Sequence, residues 1–346
     1  MTTTSGTRVL VSGASGFVGG HLSAMLHDRG YRVRALYRRL PAPSHLKSLA
    51  SGGVELIQAD LAADDLSPLL HETPVVVHSA GLVKEWGPLQ EFRQYNYDAT
   101  VRLVEAAEQA GCAVFVHVSS AAVQGFGGHV GSTEEGPYHP PTSAYQVTKS
   151  MAEKDVLARN RPGFRTAAIR PGNVYGPRDT TTFDKLFALM RFGVMGYLDG
   201  GRYLTCPTYI GNLCDGIAAA IERTQSAGQA IIITDGERLT WADFLGEIQH
   251  HLGIGFIWLD GIPAWLARIA THILTQTYAL LRLKSAPPLN PYRLEHACHD
   301  YDFDIEKARR LLGYSPRVNW RDGARITAQA YLKAPKHAPD RALIEP

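Results

Sequence analysis

Tyr145 and Lys149 have the residue types and the spacing that acid/base chemistry on an alcohol or a carbonyl group requires. They form a Tyr-x-x-x-Lys motif, and because four residues make about one helical turn, both side chains leave the same face of a helix. A nearby ammonium group stabilises a phenolate and lowers the tyrosine pKa from about 10 towards neutrality. Such a pair can donate a proton to a nascent alkoxide or take one from an alcohol. Ser120 stands upstream of this pair, just past a predicted strand.

A glycine-rich segment near the amino terminus predicts a dinucleotide site. The predicted strand Arg8–Val11 runs into this segment, and a helix is predicted from Phe17 onward. Glycines permit a sharp turn and a close approach to a pyrophosphate, while the start of the helix directs N–H groups at the phosphates. The first strand-to-helix junction is the position that this motif requires. The residues predicted to contact the cofactor here are Gly13, Ser15, Gly16, Phe17, Val18 and Gly19.

The end of the second predicted strand bears on the choice between NAD and NADP. A carboxylate there would hold the adenosine ribose hydroxyls, but Arg38 and Arg39 occupy this position. A guanidinium group suits a 2′-phosphate, so Arg38 favours NADP over NAD; a solvated basic loop is the alternative. Asp60, which follows the third strand and precedes Leu61, is predicted to reach the adenine amino group.

The elements that must position these residues alternate between short β-branched runs and longer helical patterns, which predicts βαβ units. Several runs are almost entirely apolar, as expected for strands covered on both faces. The fold class predicted is α/β: a Rossmann-type doubly wound parallel sheet with a smaller, mostly helical C-terminal substrate-binding region. The predicted strands are Arg8–Val11, Arg32–Tyr37, Val54–Gln58, Val75–His78, Val114–Val118, Thr166–Arg170 and Ile231–Thr234. The predicted helices are Phe17–Arg29, Gln90–Ala110, Ala144–Arg159, Thr181–Phe192, Gly211–Arg223, Thr240–Leu252 and Ile305–Leu312.

A chain of 346 residues has room for about two domains. Residues 1–178 are predicted to form the NAD(P)-binding domain, which also receives parts of 205–235. Residues 179–334 are predicted to be mainly the substrate-binding region, and residues 335–346 a mobile tail.

Composition excludes several other classes of protein. Thirty-five basic and 33 acidic residues give a net charge of +2, so no electrostatic footprint for nucleic acid is present. The four cysteines lie far apart, with no paired spacing, and the histidines show no zinc-type spacing; we therefore expect free thiols, no metal and a reducing compartment. The first residues lack the layout of a signal peptide, and a cytoplasmic location is expected.

The stretch 256–283 is unusually apolar, but charged residues and a proline interrupt it, so it is a poor candidate for a bilayer span. Arg268, His272 and Gln276 recur at four residues and would form one polar stripe. We predict a core helix with one polar face. The alternatives are a hydrophobic lid over the substrate or a peripheral contact of residues 262–283 with a membrane surface.

Taken together, several motifs resemble those of an extended short-chain dehydrogenase/reductase, within the NAD-dependent epimerase/dehydratase family. They stand in that family's order across roughly residues 8–235: the glycine segment, Asn96-Tyr97-Asp98-Ala99-Thr100, Ser119-Ser120-Ala121, the Tyr-x-x-x-Lys pair, and Arg170-Pro171-Gly172-Asn173-Val174-Tyr175-Gly176-Pro177.

The resemblance implies a role for each matching residue. Tyr145 would be the acid/base, Lys149 its pKa-lowering partner and a ribose ligand, Ser120 would polarise the substrate oxygen, and Asn96 would belong to the proton relay. Ser79, Ala80, Gly81, Pro171, Gly172 and Val174 would complete the cofactor site with Tyr145 and Lys149. A homodimer through helices 90–110 and 144–159 also follows from the resemblance alone.

Other residues discriminate among branches of the family. Ala121-Ala122 stand where sugar-nucleotide dehydratases carry an acidic pair, and the stretch 205–212 lacks the charged residue usual in epimerases, although Arg202 is close in sequence. The C-terminal third resembles the 3β-hydroxysteroid dehydrogenase-like branch, and so does the loop Lys84-Glu85-Trp86-Gly87 after the fourth predicted strand. Trp86 and Lys84 are the predicted substrate contacts.

The resemblance thus implies an NAD(P)-dependent oxidoreductase that interconverts a secondary alcohol and a ketone on a hydrophobic substrate, either sterol-like or a long-chain β-hydroxy or β-keto compound. A nucleotide-sugar epimerase and a non-catalytic NADP-binding sensor are the alternatives.

Overall fold

The protein is described by a computed structural model that covers residues 6–179, 194–253, 257–281, 283 and 285–333. Its centre is a sheet of seven parallel strands in the order β3-β2-β1-β4-β5-β7-β12. The chain reverses its direction of winding between β1 and β4, and an open sheet of this type binds ligands at such a switch point, beyond the carboxyl ends of the strands. The bounds of these strands are β1 (Arg8–Ser12), β2 (Arg32–Tyr37), β3 (Glu55–Gln58), β4 (Val75–His78), β5 (Val114–Val118), β7 (Arg165–Pro171) and β12 (Gln229–Ile233).

Helices cover both faces of this sheet, as the apolar strands require: every residue of β4 and β5 is buried. The helices of this part are α1 (Phe17–Asp28), α2 (Ser44–Ser51), α3 (Ser67–Leu70), α4 (Leu89–Phe92), α5 (Ala99–Gln109), α6 (Ala144–Ala158) and α7 (Ile210–Glu222). The sequence therefore predicted the doubly wound α/β architecture correctly.

The remaining elements form the smaller C-terminal region and four two-stranded sheets. The strands are β6 (His129–Ser132), β8 (Asn173–Tyr175), β9 (Val194–Leu198), β10 (Leu204–Thr205), β11 (Pro207–Tyr209), β13 (Leu239–Thr240), β14 (Ile257–Ile262) and β15 (Tyr301–Phe303). The helices are α8 (Trp241–Leu252), α9 (Ala264–Leu280), α10 (Pro291–Ala297), α11 (Glu306–Leu312) and α12 (Trp320–Lys333). β6 pairs with β15 and β8 with β11. Strands of the later part of the chain are thus hydrogen-bonded to the segments that follow β5 and β7.

One predicted helix is interrupted in the structure, and α2, α3, α10, α12 and the strands of the two-stranded sheets were not predicted. Residues 90–110 were expected to be a single α-helix, but a π-helical turn, Arg93–Asp98, separates α4 from α5. π-Helical turns are rare and occur often at functional sites; this one contains Asn96. The predicted helix Thr181–Phe192 and the predicted mobile tail 335–346 lie outside the described residues.

The prediction of a core helix with one polar face over residues 264–280 is wrong. The large apolar side chains of α9 point outward, with Trp265 63% and Leu280 83% exposed, whereas the small residues Ala267 and Thr271 are buried. Small side chains on the inner face let α9 approach the protein closely, which leaves its bulky side chains on the outside. Within the described residues, no helix combines the length and hydrophobicity needed to cross a membrane.

A buried ion pair joins the sheet to α6. The guanidinium of Arg170, on β7, lies 2.6 Å from the Glu153 carboxylate on α6, and both side chains are only 5% exposed. The same guanidinium donates to the Gln124 side chain at 3.2 Å, the Glu134 carbonyl at 3.1 Å and the Tyr138 hydroxyl at 2.9 Å. A buried charge is tolerable when it is paired and fully hydrogen-bonded in this way.

We predict that Arg170→Met lowers the free energy of unfolding by about 3–5 kcal/mol, because Glu153 is left buried without its partner. Urea unfolding followed by circular dichroism measures this loss. The control is Arg309→Met, which removes an exposed partner 3.6 Å from Glu306 and should cost less than about 1 kcal/mol. Equal losses of unfolding free energy in the two variants would contradict the conclusion that the Arg170–Glu153 pair is a buried structural interaction.

Candidate active site

Helix α6 presents Tyr145 and Lys149 on one buried face, with Tyr145 9% exposed. The helix begins with a capping box: the Ser143 hydroxyl accepts from the Gln146 N–H, and the Gln146 side chain accepts from the Ser143 N–H. Gln146 also donates to the Ala122 carbonyl at 3.1 Å. Gln146, the residue after Tyr145, thereby fixes the start of α6 to the 3₁₀ turn that follows Ser120.

Ser120 stands at the end of β5, where its hydroxyl caps that 3₁₀ turn by accepting from the Ala122 N–H at 3.2 Å. Burial raises the pKa of Tyr145, while a hydrogen bond with the Ser120 hydroxyl lowers it. The structure therefore brings the predicted serine and tyrosine together. A tyrosine held near an oxygen donor in a water-poor site is a suitable proton donor to a developing alkoxide.

Lys149 donates to the Val118 carbonyl at 2.7 Å. Burial lowers its pKa to about 8, and the Glu153 carboxylate one turn further along α6 acts in the opposite direction. The ammonium group is thus anchored at the end of β5, beside the segment that contains Ser120. The net effect raises the pKa of Tyr145 in this structure, opposite to the lowering expected from the sequence, and Lys149 is not among the causes of this shift. A lowering of the Tyr145 pKa by Lys149 stays a prediction.

Asn96 holds the loop after β4. Its side-chain oxygen accepts from the Leu82 N–H at 2.6 Å, and its amide donates to the Leu82 carbonyl at 3.2 Å. A Cβ atom on Gly81 would lie 3.2 Å from the Asn96 oxygen and 3.5 Å from Nζ of Lys149. Asn96, Gly81 and Lys149 therefore meet at one point, and the π-helical turn directs Asn96 towards it.

A chain of buried hydrogen bonds, which the sequence did not reveal, runs from the glycine segment to Asn96. Ser12 contacts His78 Nδ1 at 2.7 Å, His78 Nε2 contacts Thr100 at 2.8 Å, and the Thr100 hydroxyl donates to the Asn96 carbonyl at 2.7 Å. Burial and the Lys149 charge lower the pKa of His78 to about 3, so the imidazole is neutral. Because Thr100 donates to Asn96, it must accept from His78, which assigns the proton to Nε2.

The glycine segment packs directly against the end of β4. Gly13 adopts a φ of +71°, and a Cβ there would lie 2.7 Å from the Ala80 backbone. The Ser79 hydroxyl donates to the Ser12 carbonyl at 2.6 Å. Ser15, Gly16, Phe17 and Val18 complete the turn into α1, whose first N–H groups face the same edge of the sheet. This narrow backbone turn at the switch point fits a dinucleotide pyrophosphate.

The predicted nucleotide-selecting residues also lie together. The Arg38 guanidinium sits 4.5 Å from the centre of the Tyr95 ring and 3.9 Å from the Asp60 carboxylate. Within the described part of the chain, no hydrogen bond holds this guanidinium, so its donors are available to a ligand. Asp60 is itself fixed by accepting from the Ala62 N–H at 2.9 Å, directly after Leu61.

The segment after β7 contains Pro171, Gly172 and Val174. The Gly172 N–H donates to the Thr208 hydroxyl at 3.1 Å, and a Cβ on Gly172 would lie 2.7 Å from the Cys206 sulfur. The glycines at 172 and 13 therefore allow close packing against Cys206 and the Ala80 backbone, respectively, at the edge of the sheet where the cofactor site is predicted. The predicted cofactor residues are thus collected along one edge of the sheet and fit a nicotinamide dinucleotide.

Of the predicted substrate contacts, Lys84 is exposed and pairs with Glu91 at 3.1 Å, and Trp86 is half-buried. Neither has a contact that assigns it a role. Glu85, which lies between them in sequence, does have defining contacts. Its carboxylate accepts from the Asn290 amide at 2.9 Å and forms an ion pair with Arg293. This link brings α10 and Tyr292 over Tyr145, a feature that no local sequence signal predicted.

No cluster of potential metal ligands occurs among the described residues, and Cys112, Cys206, Cys214 and Cys298 are buried free thiols. Burial raises the pKa of Cys112 and of Cys298 to about 11, so these groups are not reactive thiolates.

A doubly wound sheet with a glycine turn at its switch point and a serine, a tyrosine and a lysine beside it defines a short-chain dehydrogenase/reductase. The model of the NAD dependent epimerase/dehydratase family matches residues 9–233, which is more than half of the chain. The protein belongs to this family. It is an NAD(P)-dependent oxidoreductase of the extended short-chain type, in the branch related to 3β-hydroxysteroid dehydrogenases.

Two curated relatives span almost the whole chain. A 4-hydroxy-2-methyl-3-oxo-4-farnesyl-3,4-dihydroquinoline-1-oxide ketoreductase of Stigmatella aurantiaca is 31% identical over 97% of this chain and 100% of its own. A 3-beta-hydroxysteroid dehydrogenase of Mycolicibacterium neoaurum is 31% identical over 89% of this chain and 87% of its own. Among solved structures, a Bacillus cereus UDP-glucuronic acid 4-epimerase in complex with UDP-glucuronic acid and NAD is 26% identical, with a TM-score of 0.74, over 94% of this chain and 99% of its own.

We predict a specific pH dependence from Lys149. Its folded pKa of about 8 lies below the ordinary 10.5, so the unfolded chain holds this proton more tightly, and the stability of the wild type relative to Lys149→Met should rise between about pH 8 and pH 10. The rise is at most about 3 kcal/mol, at 1.36 kcal/mol per pKa unit. Urea unfolding across this range measures it, with the exposed Lys154→Met on the same helix as control. A difference between wild type and Lys149→Met that does not change with pH would contradict the prediction.

Proposed function

We propose that this protein interconverts a secondary alcohol and a ketone on a hydrophobic substrate, with NADP preferred over NAD. The observation that carries the proposal is the position of Tyr145. Its hydroxyl is buried beside that of Ser120, next to Lys149 at the ends of β4 and β5, where the glycine turn also lies.

The chain's own residues account for the proton chemistry. In the direction of reduction, neutral Tyr145 donates its proton to the developing alkoxide, and the Ser120 hydroxyl donates a hydrogen bond to the same oxygen. In oxidation, Tyr145 takes the hydroxyl proton. Lys149 favours the phenolate, and Asn96 fixes the loop beside it. A bound nicotinamide would supply or accept the hydride at the carbon.

The relatives support a hydrophobic substrate. The names of the two curated relatives describe a farnesylated quinoline and a steroid, both of which are large and apolar. The segment 205–212, which lacks the charged residue usual in epimerases, also supports a hydrophobic substrate. Its Thr205, Thr208 and Asn212 are buried and hydrogen-bonded within the protein. They therefore offer no charged or exposed contact to a sugar-nucleotide diphosphate.

The epimerase alternative rests on the NAD-bound structural relative, and Arg202 is the cation nearest in sequence to the uncharged segment 205–212. That guanidinium stacks 5.2 Å from the Tyr203 ring and lies 3.4 Å from Asp199. The alternative of a non-catalytic sensor has no support of its own, since a sensor has no need of a buried proton donor paired with a serine and a lysine.

Other features of the protein stay predictions. These are the division at residues 178 and 179, a homodimer through the helices of residues 90–110 and 144–159, a cytoplasmic location, and contact of residues 262–283 with a membrane surface. The outward-facing apolar side chains of α9 are compatible with such a contact.

We predict that Tyr145→Phe lowers kcat/KM by at least about 100-fold, because the proton donor is lost while the ring is kept. Purified protein would be assayed by the absorbance of reduced nicotinamide against sterol alcohols, long-chain β-hydroxy compounds and nucleotide sugars. The dissociation constant for NADPH should stay near the wild-type value, because the glycine turn and Lys149 are kept. Conversion of a nucleotide sugar without any activity on the alcohols would establish the epimerase alternative instead.

We predict that Arg38→Ala reduces the preference for NADP over NAD by about 10-fold or more, since a charge-assisted contact with the 2′-phosphate is lost. The matched control is Arg93→Ala, because Arg93 likewise lies over a tyrosine ring, Tyr97, at 5.6 Å and 3.6 Å from a carboxylate, Asp98. The ratio of kcat/KM for the two cofactors is the measurement. If Arg38→Ala and Arg93→Ala leave the same ratio, Arg38 does not select the cofactor.

A further inference from the structure

A row of aromatic side chains starts at Tyr145 and leads away from it into the C-terminal region. The ring of Tyr292 lies 6.4 Å from that of Tyr145, at an interplanar angle of 81°. His296 follows at 6.1 Å from Tyr292, and Trp241 at 5.3 Å from His296. We call Tyr292, His296 and Trp241 the aromatic row.

The aromatic row is packed against buried rings and is itself only partly buried. Its three members are half-buried, whereas the rings behind it, Phe126 and Tyr301, are buried. Phe126 stacks on His296 at 4.8 Å and meets Tyr292 edge-on at 4.9 Å. The row is therefore packed at its back. Each of its three residues keeps partial exposure, while Trp241 Nε1 and His296 Nε2 are buried with no hydrogen-bond partner among the described residues.

The aromatic row is uncharged at neutral pH. Burial lowers the pKa of His296 to about 4, which leaves a neutral imidazole. Burial raises the pKa of Tyr292 well above its ordinary value, with Tyr145 and Glu85 acting in the same direction. A neutral aromatic surface attracts other rings through its quadrupole, in stacked or edge-on geometry, by about 0.5–1.5 kcal/mol beyond the effect of area.

The helix that carries Tyr292 and His296 is held in place by contacts with Glu85, which lies in another segment of the chain. α10 has only seven residues and would be marginal alone. Its N-cap, the fully buried Asn290, accepts from the Arg293 N–H at 3.0 Å and donates to Glu85 at 2.9 Å. The Arg293 guanidinium pairs with the same carboxylate. Glu85 thus fixes α10 to the loop that includes Gly81.

From these observations we propose that Tyr292 is a specificity-determining residue, and that the aromatic row selects a substrate whose reacting carbon lies in or beside a flat ring system. The inference rests on the proposed function, because it takes Tyr145 as the group that meets the reacting oxygen. Atoms attached to the reacting carbon then lie against Tyr292, and the body of the substrate follows the row. An open alkyl chain of equal size would also bury apolar surface against the row, but it would lack the ring-to-ring attraction.

The test uses two ketones with the same number of carbon atoms, the fused-ring 2-tetralone and the open-chain 2-decanone. We expect the wild type to favour 2-tetralone in kcat/KM, and Tyr292→Leu to reduce this preference about 10-fold, the factor that corresponds to 1.4 kcal/mol. Tyr292→Phe keeps the ring and should keep the preference. Tyr278→Leu, on the neighbouring helix α9, is the matched control and should leave the ratio unchanged.

A binding measurement separates this inference from the proposed function. The dissociation constants of both ketones are measured by equilibrium dialysis with the NADPH complex of Tyr145→Phe. Tighter binding of 2-tetralone that Tyr292→Leu abolishes supports the inference, even if neither ketone is turned over and the proposed function fails. Equal affinity for both ketones, or equal losses for both in Tyr292→Leu, would overturn it, because a purely structural role for Tyr292 predicts equal losses.

Glu85 is a positioning residue in this scheme, since it acts through α10. Glu85→Gln should raise KM for 2-tetralone more than it changes kcat, because the row is misplaced while the proton donor stays in position. Glu91→Gln, which removes the partner of Lys84 near the same loop, is the control. A fall in kcat without a rise in KM would show that Glu85 acts on the chemical step instead.

Discussion

The buried pair of Arg170 and Glu153 is the interaction on which the site depends. Arg170 immediately precedes Pro171 and Gly172, and Glu153 stands one helical turn after Lys149. One guanidinium therefore sets the distance between the cofactor segment of β7 and the proton-transferring face of α6. Its further bonds to Gln124 and to the segment around Glu134 also fix the turn that follows Ser120. A buried ion pair contributes little net stability compared with apolar packing, but its geometry is demanding, and here the segments that carry Ser120, Tyr145 and Lys149 all depend on that geometry.

A second polar network fixes the positions of the segments on the other side of the cleft. Ser12, His78 and Thr100 connect the glycine turn to the Asn96 carbonyl by continuous hydrogen bonds, and the Asn96 side chain brackets Leu82. Because a buried polar group without a partner is costly, such a chain is stable only when every member is correctly placed. The neutral imidazole of His78 suits this task, since it donates from one nitrogen and accepts at the other.

The C-terminal region supplies the aromatic surface that we propose meets the substrate. Glu85 ties α10 to the loop after β4, and α10 in turn places Tyr292 beside Tyr145. The internal hydrogen bonds of Thr208 and Asn212 and the neutral aromatic row both favour an apolar molecule over a sugar nucleotide.

The sequence by itself determined the elements and residues whose signals are local. Strand and helix periodicity predicted the seven-stranded sheet, the glycine spacing predicted the turn before α1, and the Tyr-x-x-x-Lys spacing predicted one helical face, because each depends on residues within about one or two turns of each other. Ser143 and Gln146 carried a capping-box signal that could also have been found. The π-helical turn at Asn96, the ion pair of Arg170, the link from Glu85 to Asn290 and the outward face of α9 were decided only by tertiary structure. Each joins or orients segments far apart in the chain, and hydrophobic periodicity records that a side chain is apolar but not which surface it will meet.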